Sequence, residues 1–134
     1  MYRVSVRDHV MVAHSLPHPF FGPAQAKHGA TYDVELVLAA RELDEHGVVA
    51  DIGAASAALA AVLDELRYRD LDEHPAFVGR LTTTEVLARW VADRVVEAGR
   101  EGGGAAGLTR GLASLEVVLR ETPDAWASYR TDLP

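Results

Sequence analysis

The chain has 134 residues, 13 Lys and Arg against 20 Asp and Glu, a formal charge of −7, and no cysteine. This length predicts one domain spanning residues 1–134, and 49% apolar with 25% charged residues is ordinary globular composition. The absent cysteines exclude a disulfide scaffold, a thiolate metal site and a cysteine nucleophile. The acidic balance argues against a nucleic-acid partner. No apolar run approaches the roughly 18 residues of a membrane span, so no membrane partner is expected. The N-terminus alternates charged and apolar residues without a signal-peptide core, and a cytoplasmic protein is the expectation.

Val4 and Val6 alternate with polar neighbours, and Val10, Val12 and His14 share a face, which predicts a strand over 2–14. Residues 15–29 hold Pro17, Pro19, Gly22, Pro23 and Gly29 and read as a loop. Tyr32, Val34, Leu36 and Leu38 alternate in a second strand over 30–41. Asp44-Glu45-His46-Gly47 is a turn, after which Val48 and Val49 extend briefly.

From there the period becomes helical: Ala55, Leu59, Val62, Leu63 and Leu66, with Asp51 or Gly53 as the cap. Residues 67–81 read as a loop around Pro75 and Gly79. Thr82-Thr83-Thr84-Glu85 opens a second helix, whose apolar stripe is Val86, Leu87, Trp90, Val91, Val95 and Val96. Glu101-Gly102-Gly103-Gly104 ends it, and residues 102–107 are expected to form a flexible loop. Leu115, Val117 and Leu119 alternate in a third strand that puts Glu121 on the same face. Pro123 breaks the pattern, and residues 126–129 suit a short fourth strand. The order β-β-α-α-β-β indicates an α+β fold with a four-stranded antiparallel sheet and two helices.

Several landmarks, in order, resemble the 6-pyruvoyltetrahydropterin synthase and 6-carboxytetrahydropterin synthase family. Met11-Val12-Ala13-His14 is similar to the family's histidine-ended strand. His28-Gly29-Ala30-Thr31-Tyr32 resembles His-Gly-His-Asn-Tyr, and Gly47 to Gly53 resembles Gly-x-Val-x-Asp-Phe-Gly. Leu66 to Asp72 is similar to Leu-Asp-His-x-x-Leu-Asn, and Thr82-Thr83-Thr84-Glu85 to Pro-Thr-x-Glu-Asn. Glu121-Thr122, with Trp126 and Tyr129, resembles the family's terminal Glu-Thr…Tyr.

The resemblance implies a tunnelling fold whose subunits pair their sheets into a barrel, as a hexamer or another ring, so a homo-oligomer. It also implies zinc on three histidines, a glutamate that anchors a pterin, and lyase chemistry on dihydroneopterin triphosphate. Its zinc set would be His14, His28 and position 30, but Ala30 has no donor atom. His18 and Asp33 are the candidate third ligands. Where the family has its catalytic cysteine, this chain has Ala24 or Gln25, and the Asp-His pair is replaced by Arg67-Tyr68. Tyr68, Arg67 and His74 are the candidate proton or charge carriers in their place, and a packed tyrosine with a solvated arginine is the plainer alternative.

Glu121 is kept. A carboxylate accepting two N–H groups of a 2-aminopyrimidinone ring is a bidentate, charge-assisted contact, and Thr82 and Thr83 would line the same pocket. The expectation is a divergent enzyme with lyase- or isomerase-type chemistry on a pterin-like or purine-derived small molecule. A non-catalytic pterin-binding or scaffold protein is the second reading, and the family's own synthase activity the third.

Overall fold

A computed structural model describes residues 1–100 and 105–134. β1 (Tyr2–His14) and β2 (His28–Ala40) form an antiparallel pair of 13 residues each. α1 (Ile52–Asp64) and α2 (Thr84–Arg100) follow. β3 (Ser114–Thr122) and β4 (Ala125–Asp132) complete a single antiparallel sheet of order β1-β2-β3-β4. The expected element order and sheet are present, in a domain that packs both helices on one sheet face.

The alternation in the strands decides that face. Val10, Val12, Tyr32, Val34, Leu36, Leu38, Leu115, Val117 and Leu119 are buried beneath Leu59, Val62 and Leu63 of α1 and Leu87, Val91 and Val95 of α2. Each such side chain contributes about 1.5–3 kcal/mol of transfer free energy, so one shared core accounts for the packing of both helices on the sheet. The other face carries crossed charges: Arg7 with Asp33 at 2.6 Å and Arg120 with Glu35 at 3.0 Å.

Local chemistry sets the element ends. The Asp51 carboxylate accepts from the Gly53 and Ala54 N–H groups, so Asp51, not Gly53, caps α1. The Thr83 hydroxyl accepts from Val86 N–H and opens α2. Gly47 closes its turn at φ 76°, a left-handed conformation that glycine adopts without a Cβ clash.

The structure differs from the expected boundaries in four places. β2 begins at His28, because cross-strand bonds to β1 draw His28 and Gly29 out of the loop. The loop before it holds a 3-10 stretch over Pro19–Gln25, and residues 67–81 hold 3-10 turns at Leu71–Glu73 and Pro75–Phe77. α2 begins at Thr84, two residues into the expected Thr82-Thr83-Thr84-Glu85 start, because Thr83 supplies the cap. β4 runs the full eight residues, because β3 supplies a partner along its length. The expected glycine-rich end of α2 at Glu101 to Gly104 lies outside the described residues.

Two irregularities position the site. The register passes from Arg120↔Trp126 to Thr122↔Ala125, so Glu121 is an extra residue on β3, a bulge that re-aims its side chain. Residues 68–70 lie along the edge of β1: Tyr68 N–H donates to the Met11 carbonyl at 2.8 Å, and Ala13 N–H to the Arg69 carbonyl at 3.0 Å.

Candidate functional site

His14 and His28 face each other because β1 and β2 pair them directly in register at the end of the ladder. Their rings meet edge to face with centroids 4.6 Å apart. His14 is buried, and its Nδ1 lies 2.9 Å from the Thr82 hydroxyl, itself buried. His28 Nδ1 donates to the Ala26 carbonyl at 2.8 Å, which leaves Nε2 as the unprotonated nitrogen of the neutral ring. Burial first, and then the charge of His28, hold the His14 pKa below the usual histidine value.

The two histidines line a cavity of about 530 Å³. Leu16, Phe21, Ala24 and Ala30 supply its apolar wall, and Thr83, Thr84, Glu85 and Glu121 its far side. The Thr84 hydroxyl donates to Glu121 Oε1, leaving the second carboxylate oxygen open to a ligand. Tyr32 packs beneath them, fully buried. Burial, with the charge of Glu121 second, pushes its phenol up to about 12, while the Thr84 hydroxyl beside it acts the other way. Glu121 is exposed in the single chain, not buried as its alternation with Leu119 suggested, because it stands at the strand end on a bulge.

The remaining candidates are arranged differently. Thr82 supports His14 from behind, while Thr83 both lines the cavity and caps α2. His18 is exposed and outside the cavity lining, and its Nδ1 accepts from Phe20 N–H as the cap of the 3-10 stretch. Asp33 lies on the opposite sheet face, paired with Arg7. Arg67 binds Asp8 at 2.9 Å, Asp64 at 2.7 Å and the His9 carbonyl at 2.6 Å. His74 is buried, with Nδ1 accepting from Ala76 N–H and Nε2 3.1 Å from the Glu65 carbonyl. Tyr68 is 84% exposed at φ 55°, a left-handed backbone that is unfavourable for a bulky residue. None of Arg67, Tyr68 and His74 lines the cavity.

Tyr32 and Thr84 belong to the site and were not singled out by the sequence. Tyr32 reads as one more apolar position of β2, and Thr84 as the third member of a cap. The helical start was the available signal, because a helix that begins at 84 turns that hydroxyl towards the end of β3.

The zinc that the family resemblance implies would need three protein donors at one point. Two imidazoles with free Nε2 atoms are present, each steadied through Nδ1 as metal-bound histidines are. Position 30 offers only a methyl group, His18 and Asp33 are elsewhere, and no three His, Asp or Glu side chains converge among the described residues. The chain's own residues therefore do not fit a three-ligand zinc site.

Next to His28 in the chain, Lys27 bridges Asp70 at 2.5 Å and Asp72 at 2.8 Å, and these bonds raise its pKa to about 12. The Ser15 hydroxyl donates to Asp72 at 2.6 Å. This cluster ties the start of β2 to residues 70–72 next to the histidine pair.

The family model for 6-pyruvoyl tetrahydropterin synthase matches residues 3–132. A 6-carboxy-5,6,7,8-tetrahydropterin synthase of Bacillus subtilis (strain 168) is 29% identical over 131 residues, which is 91% of this chain and 80% of that protein. Among solved structures, the 6-pyruvoyl tetrahydropterin synthase of Caenorhabditis elegans superposes with a TM-score of 0.79 at 21% identity, covering 98% of this chain and 96% of that one. The Plasmodium falciparum enzyme gives 0.78 at 15% identity, with 98% of each chain covered. With the fold and the order of its motifs in agreement over nearly all its length, this chain belongs to the 6-pyruvoyl tetrahydropterin synthase family.

Proposed function

We propose that the cavity binds the 2-amino-4-oxo ring of a pterin-like molecule and that the protein carries out lyase- or isomerase-type chemistry on the ring's side chain. The observation that carries this reading is the Glu121 carboxylate at the cavity wall, held through one oxygen by Thr84. Oε1 keeps a lone pair beside the Thr84 hydroxyl and the second oxygen is open, so the fixed carboxylate can accept an amino group and a ring N–H presented side by side. Phe21 and Leu16 offer an apolar surface to the ring. His14 and His28 stand across the cavity, where their free nitrogens would meet the substituent. Thr82 positions His14. No step in this reading runs through a metal.

A second reading, a non-catalytic pterin-binding protein, draws on residues 67–74. Arg67 and His74 spend their polar atoms on the scaffold, and Tyr68 points to solvent in the single chain. Under the first reading, Tyr68 reaches a reacting group only in an assembly. The free edges of β4 and of the first half of β1 support such a homo-oligomer, since unpaired strand edges favour pairing. Among the described residues no helix is long and apolar enough to cross a membrane.

Titration calorimetry with 7,8-dihydroneopterin tests the ring assignment. Glu121→Gln loses two charge-assisted bonds at about 1.5 kcal/mol each, so affinity falls by about a hundredfold or more. Unchanged affinity would overturn the assignment. Product analysis on the same protein then separates the readings: a changed side chain supports the enzyme, and tight binding with no conversion supports the binder.

A further inference from the structure

The electrical character of the cavity narrows its ligand further, if the pterin reading above holds. Among the described residues, the cavity lining contains no lysine or arginine, but it does contain Glu85 and Glu121. Asp72 stands close enough for its charge, with that of Glu121, to act on the His14 ring. Lys27, which precedes His28 in the chain and lies outside the lining, is already shared between Asp72 and Asp70. The lining thus carries two carboxylates and no cation, and the Lys27 charge beside it is met by two aspartates.

The other cations nearby do not redress this. The neighbouring cleft, of about 560 Å³, shares Thr31, Glu121 and Thr122 with the cavity and includes Arg7 and Arg120. Arg7 is paired with Asp33, and Arg120 with Glu35 while also lying over the Trp126 ring at 5.8 Å. Arg67 is held by Asp8 and Asp64. Arg69 is exposed and lines neither space.

We infer that the ligand of this site is a pterin whose side chain carries no phosphate, with hydroxyl or carbonyl groups in its place. A triphosphate would bring several negative charges to a cavity whose lining already holds two carboxylates and no cation, and like charges brought together select against a ligand. An uncharged side chain meets two imidazole nitrogens, the Thr83 hydroxyl and an apolar wall, all able to contact hydroxyl or carbonyl groups.

The test titrates the full chain, in the assembly it forms, with 7,8-dihydroneopterin and with its triphosphate, without divalent cations. Between about 0.01 M and about 0.1 M salt the screening length falls from about 30 Å to about 10 Å, which separates repulsion from attraction. The expected result is at least about tenfold tighter binding of the uncharged compound at low salt. Added salt should then tighten the triphosphate, and Glu85→Lys should narrow the gap between the two compounds. A triphosphate that binds as tightly as the uncharged compound, that weakens with salt, or whose relative affinity ignores Glu85→Lys overturns the inference and leaves the ring assignment standing. Binding of neither compound overturns the ring assignment, and this inference with it.

Discussion

The Glu121 corner of the cavity and the segment from Arg67 to His74 are both rich in polar side chains, but they use them in opposite ways. At Glu121, Thr84 holds one carboxylate oxygen and the other is left open beside a 530 Å³ space. In the segment, Arg67 commits each of its three guanidinium nitrogens, and His74 both of its ring nitrogens, to contacts within the chain. A polar residue serves a ligand only if the fold leaves part of its bonding capacity unused, and by that measure the carboxylate corner is the candidate site and the segment is a brace. The segment fastens α1 to the β1 edge, and the histidine pair stands at the end of that strand.

Four measurements would sharpen or break the contrast. The largest effect is expected at His74. His74→Ala removes a buried ring packed against Phe77 and Trp90 and the cap on Ala76 N–H, and should cost about 2 kcal/mol in chemical denaturation. Pterin affinity should stay within about twofold in protein that remains folded; a large loss of affinity would move His74 from brace to site. Next is Arg67→Ala, which gives up two partly exposed ion pairs and a carbonyl contact for about 1 kcal/mol of stability. Full stability with lost turnover would instead mark Arg67 as part of the chemistry.

Tyr68→Gly has a smaller effect. It relieves a left-handed backbone at φ 55° while loosening the unfolded chain, so stability should rise by about 0.5 kcal/mol. If turnover falls while stability rises, the strained tyrosine serves function and the enzyme reading gains.

The smallest effect is a titration. The Tyr32 phenol, raised from 10 to about 12, favours its protonated form in the folded state. Its stabilising contribution is thus complete below about pH 10 and is lost as the pH rises through about 12. Near-ultraviolet absorbance should show one late phenolate that disappears in Tyr32→Phe. In Glu121→Gln that phenolate should titrate earlier, because the Glu121 charge is the second cause of the shift. An unmoved titration would mean that Tyr32 and Glu121 do not sense each other.

Much of the architecture was legible along the chain. Alternation of Val10, Val12 and His14, then of Tyr32 through Leu38, and helical spacing from Ala55 to Leu66 mark elements whose patterns depend on neighbours a few residues away. The boundaries that moved, at His28 and along β4, did so because a partner strand decides where pairing stops. Of the candidate site, His14 and Glu121 stood at the ends of patterned strands, while His28, read as part of the loop, was marked only by the family resemblance. Tyr32 and Thr84 were hidden because their residue types suit the core of a strand and the start of a helix equally well.

By itself, the sequence determined which residues face the core, the two-helix, four-stranded order and the acidic excess. These follow from residue identity and short-range periodicity. Tertiary structure alone decided that β1 and β2 set His14 opposite His28, that a bulge turns Glu121 to Thr84, and that Arg67 and His74 are consumed by the scaffold. Those outcomes depend on strand register and on hydrogen bonds between groups tens of residues apart, which no local pattern specifies.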